Sequence, residues 1–206
     1  MMLTVLRAIL IACVMLGSAG GFAVAEPSDD AVSAYKSGDY KKAFALLKPL
    51  ADHGNAMAQT YLGDMCFYGQ GRPQSYPDAL SWYRSAAEQD NAAALNSLGF
   101  MYQMGQGTPQ DTAAAIAWYR RAADLGYSVA QNNLAIIYSS GQGVPRDYVQ
   151  AHKWFNLTAT GQADSERRTR TLQALTVISA SMTPGEIAEA QWLAREWRPK
   201  PSKQAP

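Results

Sequence analysis

The sequence predicts an all-α protein, an α-solenoid of stacked helix–loop–helix repeats on a 36-residue period, closed by a C-terminal pair of capping helices. Three observations predict it. The stretch "YGQGRPQSYPDALSWYRSAAE", residues 68–88, returns as "MGQGTPQDTAAAIAWYRRAAD" from Met104 and as "SGQGVPRDYVQAHKWFNLTAT" from Ser140. Upstream of each copy, Ala58, Ala94 and Ala130 align, as do Leu62-Gly63, Leu98-Gly99 and Leu134-Ala135. One unvarying period carried by this many positions marks a tandem array. After Gly161 the period is lost and two amphipathic segments follow. A stacked array needs such an end to cover its last apolar face.

Residues 1–25 read as a signal peptide. Arg7 is their only charge, followed by the apolar run Ala8–Leu16 and then by Gly17, Ser18, Gly20 and Gly21. Ala23-Val24-Ala25 before Glu26 is the small-x-small pattern that a signal peptidase accepts. The competing reading is an uncleaved anchor, since Ala8–Ala25 carries no charge and could nearly span a bilayer; the Gly/Ser residues near its end favour cleavage after Ala25. Leu10-Ile11-Ala12-Cys13 looks like a short lipobox, but Cys13 follows Arg7 by only six positions, too brief an apolar stretch for lipidation. The mature chain is then exported, without stable membrane insertion, and Cys66 is its sole thiol. No intramolecular disulfide can form, so stability rests on packing.

Residues 26–54 form a shortened first unit: a helix over about Asp29–Lys36, then Tyr40, Ala43 and Ala51 in register with Tyr76, Ala79 and Ala87. Residues 55–162 hold three full repeats. Helix A of the first runs from Ala56 to Tyr68, with Gly63 leaving room for a neighbouring helix. Gly69 and Gly71 end it because glycine tolerates positive φ, and Pro73 blocks continuation. Helix B opens at Ser75, Asp111 or Asp147, whose side-chain oxygens can cap free N–H groups, and Asp78 suggests a capping box with Ser75. Trp82 and Tyr83 lie about 100° apart on the helix, so one can pack on its own helix A and the other on the next repeat. Residues 163–198 supply the cap. Leu172, Leu175, Ile178 and Met182 share one face, and Thr183, Pro184 and Glu186 open a last helix whose buried stripe is Ile187, Ala190, Leu193, Ala194 and Trp197. Residues 199–206 read as a disordered tail.

The composition excludes several functions. Lys and Arg number 18 against 17 Asp and Glu, interspersed, which is not the concentrated basic footprint of a nucleic-acid binder. The glycine loops follow helices rather than strands and lack a third glycine, so they are not phosphate cradles. The Trp-Tyr pairs read as core. His53 belongs to a turn, His152 to the surface or flank of the third helix B, and Cys66 to the core; together they offer no metal spacing. No Ser-His-Asp order or paired-carboxylate motif is present. The sequence therefore points to no enzyme and no cofactor.

The pattern Ala-x-x-x-Leu-Gly-x-Met-Tyr-x-x-Gly-x-Gly-x-Pro-x-Asp, ending in Trp-Tyr-x-x-Ala-Ala, resembles the Sel-one-like repeat (SLR) family over roughly residues 37–162. "MTPGEIAEAQWLAREW" also looks like the closing helix of small exported bacterial members. Two positions depart from the pattern: Cys66, where Tyr102 and Tyr138 keep a tyrosine, and Asp90, where Gly54 and Gly126 keep a glycine. The resemblance implies a tetratricopeptide-like scaffold or adaptor, here in the periplasm, that binds another envelope protein or peptide. Members linked to peptidoglycan or β-lactams are cysteine-rich, which this chain is not.

In such an architecture helix A lines the concave surface, where a partner would lie. The Leu-Gly register projects Asp64, Phe67 and Tyr68 there from the first repeat, Asn96, Phe100, Gln103 and Met104 from the second, and Asn132, Ile136 and Ser139 from the third. Asn96 and Asn132 are equivalent positions whose amides suit a peptide backbone. Phe67, Tyr68, Phe100, Met104 and Ile136 would form an apolar strip, unless several of them pack between repeats or under the C-terminal helices. Trp192 is either exposed or tucked against the tail. A cell-wall (peptidoglycan) binding module is the second functional reading, and only Asp64 supplies a charge for it on this wall.

Overall fold

The computed structural model describes residues 27, 29–161 and 165–203. The expected signal peptide, with Cys13, lies outside the described residues. The described chain forms ten helices: α1 (Asp29–Lys36), α2 (Tyr40–Asp52), α3 (Ala56–Tyr68), α4 (Tyr76–Glu88), α5 (Ala92–Met104), α6 (Thr112–Asp124), α7 (Ser128–Ser140), α8 (Tyr148–Gly161), α9 (Ser165–Ser179) and α10 (Pro184–Glu196). From α1 to α9 each helix packs on its chain neighbours, most extensively in the pairs α3–α4, α5–α6 and α7–α8; α10 packs back on α8, so that α8 is covered by both α9 and α10. It is an α-solenoid in which α3, α5 and α7 are the A helices and α4, α6 and α8 the B helices.

Local chemistry sets the helix ends. Asn55 and Asn91 cap α3 and α5 by accepting from the N–H groups of Ala58 and Ala94. Ser75, Asp111 and Asp147 do the same at the B helices. Asp78 does not complete a box with Ser75; its carboxylate turns to Arg72, 3.2 Å away. Thr183 and Glu186 do form the full capping box.

The two glycines of each loop do different things. Gly105 is a left-handed C-cap for α5, at φ 68°. Gly107 is also left-handed, at φ 72°, and a Cβ there would lie 2.7 Å from the Tyr76 Cβ. The second glycine is thus where the loop touches the first turn of the preceding B helix. Inside each unit a tyrosine of helix B lies against the glycine of helix A: a Cβ on Gly63 would sit 2.5 Å from Tyr83 Cε1, and one on Gly99 2.6 Å from Tyr119 Cδ1. Ala135 and Phe155 take these two positions in the third repeat, both buried.

The departures from the repeat are compensated locally. Gln59 and Gln131 donate to the Ala51 and Ala123 carbonyls at the ends of the preceding helices. Leu95 fills that slot between them, and there the Ala87 carbonyl accepts from Arg121 Nη2 at 3.1 Å. Arg121 also pairs with Asp90, which is left-handed at φ 58° where Gly54 and Gly126 hold the equivalent turns. Arg84 and Arg120 donate to the Tyr102 and Tyr138 hydroxyls of the next repeat. Where Cys66 replaces that tyrosine, Lys48 replaces the arginine and pairs with Asp52 instead.

Four expectations need correction. Trp82 packs back as well as forward, touching both core clusters, with Lys48 Nζ 5.8 Å from its ring. The buried face of α9 is Thr171, Leu175 and Ile178, while Leu172 is exposed; Thr171 can be buried because its hydroxyl donates to the Arg167 carbonyl. His152 is buried rather than on the surface, its Nδ1 2.8 Å from Asn156 Nδ2, and burial lowers its pKa. The tail is not loose as far as Lys203: Lys200 pairs with Asp124 through both its backbone N–H and its Nζ, and Lys203 Nζ donates to the Glu88 carbonyl.

Candidate functional site: the A-helix wall

The A helices expose side chains that the interior does not use. Between α3, α5 and α7 lies a hollow of about 220 Å³, walled by Phe67, Tyr68, Phe100 and Val129 and floored by Tyr83, Asn96, Ser97 and Asn133. A second hollow of about 540 Å³ adjoins it through Val129. Asn132, Ile136 and Phe155 line it on one side, and Arg167, Arg170, Thr171 and Ala174 of α9 on the other. Together they make a groove that crosses the repeats, aromatic at its α3 end and carrying Arg167 and Arg170, the latter paired with Glu166, at its α9 end.

The ten projected residues divide into three groups. Tyr68, Phe100, Asn132 and Ile136 line the groove, with Tyr68 64% and Ile136 45% exposed. Asn96 lines it too, but its Oδ1 already accepts from Asn133 Nδ2 at 3.0 Å, so that oxygen is engaged across the repeats rather than open to a peptide backbone. Phe67 is a buried support whose ring centroid lies 4.8 Å from that of Tyr68 and 6.0 Å from that of Phe100. The rest lie off the groove lining. Gln103 accepts from the Tyr119 hydroxyl at 2.8 Å, Ser139 donates to the Ile136 carbonyl, and Met104 is exposed at the end of α5. Asp64 is half-buried beside the smaller hollow, its Oδ1 accepting at 2.6 Å from the hydroxyl of Tyr83, which is a lining residue.

Asp64 has an unusual setting. Burial raises its carboxyl to about 6, against a lowering by the Tyr83 hydrogen bond. Burial raises the phenols of Tyr35, Tyr61 and Tyr83 as well, and the Asp64 charge raises them further. One carboxylate thus sits among tyrosines. The sequence reading missed Ser97 and Asn133, each one position from a residue it projected, Val129 three positions from Asn132, and the α9 contribution altogether. Among the described residues, no three His, Cys, Asp or Glu side chains come together to hold a metal ion. No helix among them is long and apolar enough to cross a membrane.

The Sel1 repeat matches residues 33–55, 56–91, 92–127 and 128–161, each full unit spanning one A helix, one glycine loop and one B helix. The chain belongs to the Sel1 repeat family. Sel1 repeats commonly mediate protein–protein interaction and form generally non-catalytic scaffolds. Among solved structures the chain is similar to c5321 of uropathogenic Escherichia coli, a protective antigen displaying an SLR fold, with 31% identity and a TM-score of 0.68. That likeness covers 76% of this chain and 32% of the other, so this Sel1 repeat chain spans about a third of that protein's length. A Sel1 repeat protein from Oxalobacter formigenes shares the fold at 24% identity and a TM-score of 0.67, over 82% of this chain and 68% of the other. No curated protein matches the chain.

Proposed function

We propose that this Sel1 repeat protein is an exported, periplasmic adaptor whose A-helix wall holds an extended segment of another envelope protein. The observation that carries the reading is the groove itself. Tyr68, Phe100 and Ile136 leave apolar surface in the open on three successive A helices, where a scaffold with no partner gains by burying it. The amide of Asn132 stands beside that strip, suited to a peptide backbone, while Asn96 and Asn133 are bonded to each other. The test is affinity capture from an envelope extract with residues 26–206, beside a folded Tyr68→Ala, Phe100→Ala, Asn132→Ala variant. The expected result is one protein retained by the wild type and lost by the variant. Equal capture by both contradicts the groove assignment.

A cell-wall reading is favoured by one observation, the placement of Arg167 and of Arg170, which is in an exposed pair with Glu166, at the α9 end of the groove, where guanidinium groups suit the carboxylates of a peptidoglycan stem peptide. Sedimentation with purified sacculi separates the two: strong retention contradicts a pure protein adaptor.

A further inference from the structure

The α3 end of the wall holds a carboxylate without a counter-charge. Asp64 lies one helical turn before Tyr68, and its Oδ1 is bonded to the Tyr83 hydroxyl that lines the smaller hollow. Among the described residues no hydrogen bond reaches the other oxygen, Oδ2, and no lysine, arginine or histidine is paired with Asp64. Its charge bears on the phenols of Tyr35, Tyr61 and Tyr83, and the Tyr35 and Tyr61 ring centroids are 4.7 Å apart. Desolvating a carboxylate without pairing it works against folding. The exposed Tyr68 ring, one turn on, adds a face that attracts cations electrostatically. The hollow, at about 220 Å³, is smaller than the roughly 300–1,000 Å³ of small-molecule sites and suits one side chain.

We propose that the Asp64 corner receives a lysine or arginine side chain of the segment lying in the groove. The inference rests on the groove reading and adds the chemistry of its occupant. The cation supplies the counter-charge that the chain itself leaves out, and its methylene stem runs against Tyr68 and Phe100. A divalent metal ion is a poor alternative occupant, since a single carboxylate supplies too few oxygen ligands. At the opposite end of the groove stand Arg167 and Arg170, the latter paired with Glu166.

The experiment is selection of random eight-residue displayed peptides on the full chain, on Asp64→Asn, and on Phe100→Ala, Ile136→Ala. Binding of the best peptide is then measured by fluorescence anisotropy beside its counterpart with norleucine in place of the basic residue. The expected result is a fixed lysine or arginine among the wild-type peptides and about tenfold weaker binding of the norleucine form, the size of a hydrogen bond to a charged group. Asp64→Asn, which keeps an acceptor for Tyr83, should bind the two forms alike. The norleucine comparison needs only the wild type, so it stands even where Asp64→Asn does not fold. Selected peptides without a basic position, or equal binding of the two forms by the wild type, overturn the proposal and leave the groove. A wild type that enriches no peptide lost by Phe100→Ala, Ile136→Ala overturns both.

Discussion

At Asp64 the sequence keeps a group that packing alone would remove. Its carboxyl rises from the ordinary 3.8 to about 6 in the fold, so the folded state holds the proton more tightly than the unfolded chain does. Stability must then fall as pH rises through that interval and stay lower above it. Asp64→Asn cannot ionise. Its advantage over the wild type in urea unfolding should be small near pH 4 and reach about 1–2 kcal/mol by pH 7, after allowance for screening at a partly exposed group; a pH-independent difference would contradict the assignment. Gly99 carries a prediction of the opposite sign. A methyl group there meets Tyr119 at 2.6 Å, so Gly99→Ala should destabilise by about 1–3 kcal/mol, seen as a lower urea midpoint. Gly63 and Gly99 were legible in the sequence because close helix approach demands a missing side chain at a repeated place. The Asn96–Asn133 bond was not. Neighbouring residues on a helix point about 100° apart, and only the stacking angle between α5 and α7 decides which of Asn132 and Asn133 reaches back.

Helices and loops follow largely from local chemistry, which is why the limits of α3 and the B-helix caps could be read directly. The loops also separate two kinds of glycine. Gly105→Ala meets nothing closer than 3.3 Å and should cost about 1–2 kcal/mol for its left-handed backbone alone. Gly107→Ala adds a 2.7 Å clash with Tyr76 and should cost roughly 1–3 kcal/mol more. Thermal unfolding of the two variants checks the order; equal midpoints would mean that the second glycine is not a contact between repeats. The register of α9 was harder to read. Leu175 and Ile178 belong to both possible stripes, and the choice between Leu172 and Thr171 turns on a hydroxyl finding a carbonyl within its own helix. The tail was misjudged for a related reason: its lysines meet Asp124 and the Glu88 carbonyl on elements far away in sequence.

As a whole the molecule is nearly one-dimensional, each unit resting on its neighbours, so its ends matter as much as its middle. A chain stopped at Gly161 loses α9 and α10 from α8 and uncovers the Trp197 contact with the core. It should melt lower and bind a hydrophobic dye; an unchanged melt would mean that the pair is not a cap. The same ends frame the functional question. Trp192 stands exposed on α10 as the surface that competes with the wall. The most direct test places a photo-crosslinking phenylalanine analogue at Phe100, Trp192 or Ala117, the last an exposed position on α6, in cells that export the chain. Crosslinking of one partner from position 100, and none from 117 or 192, is the predicted result. A partner captured only from 192 or 117 would contradict the assignment of binding to the A-helix wall.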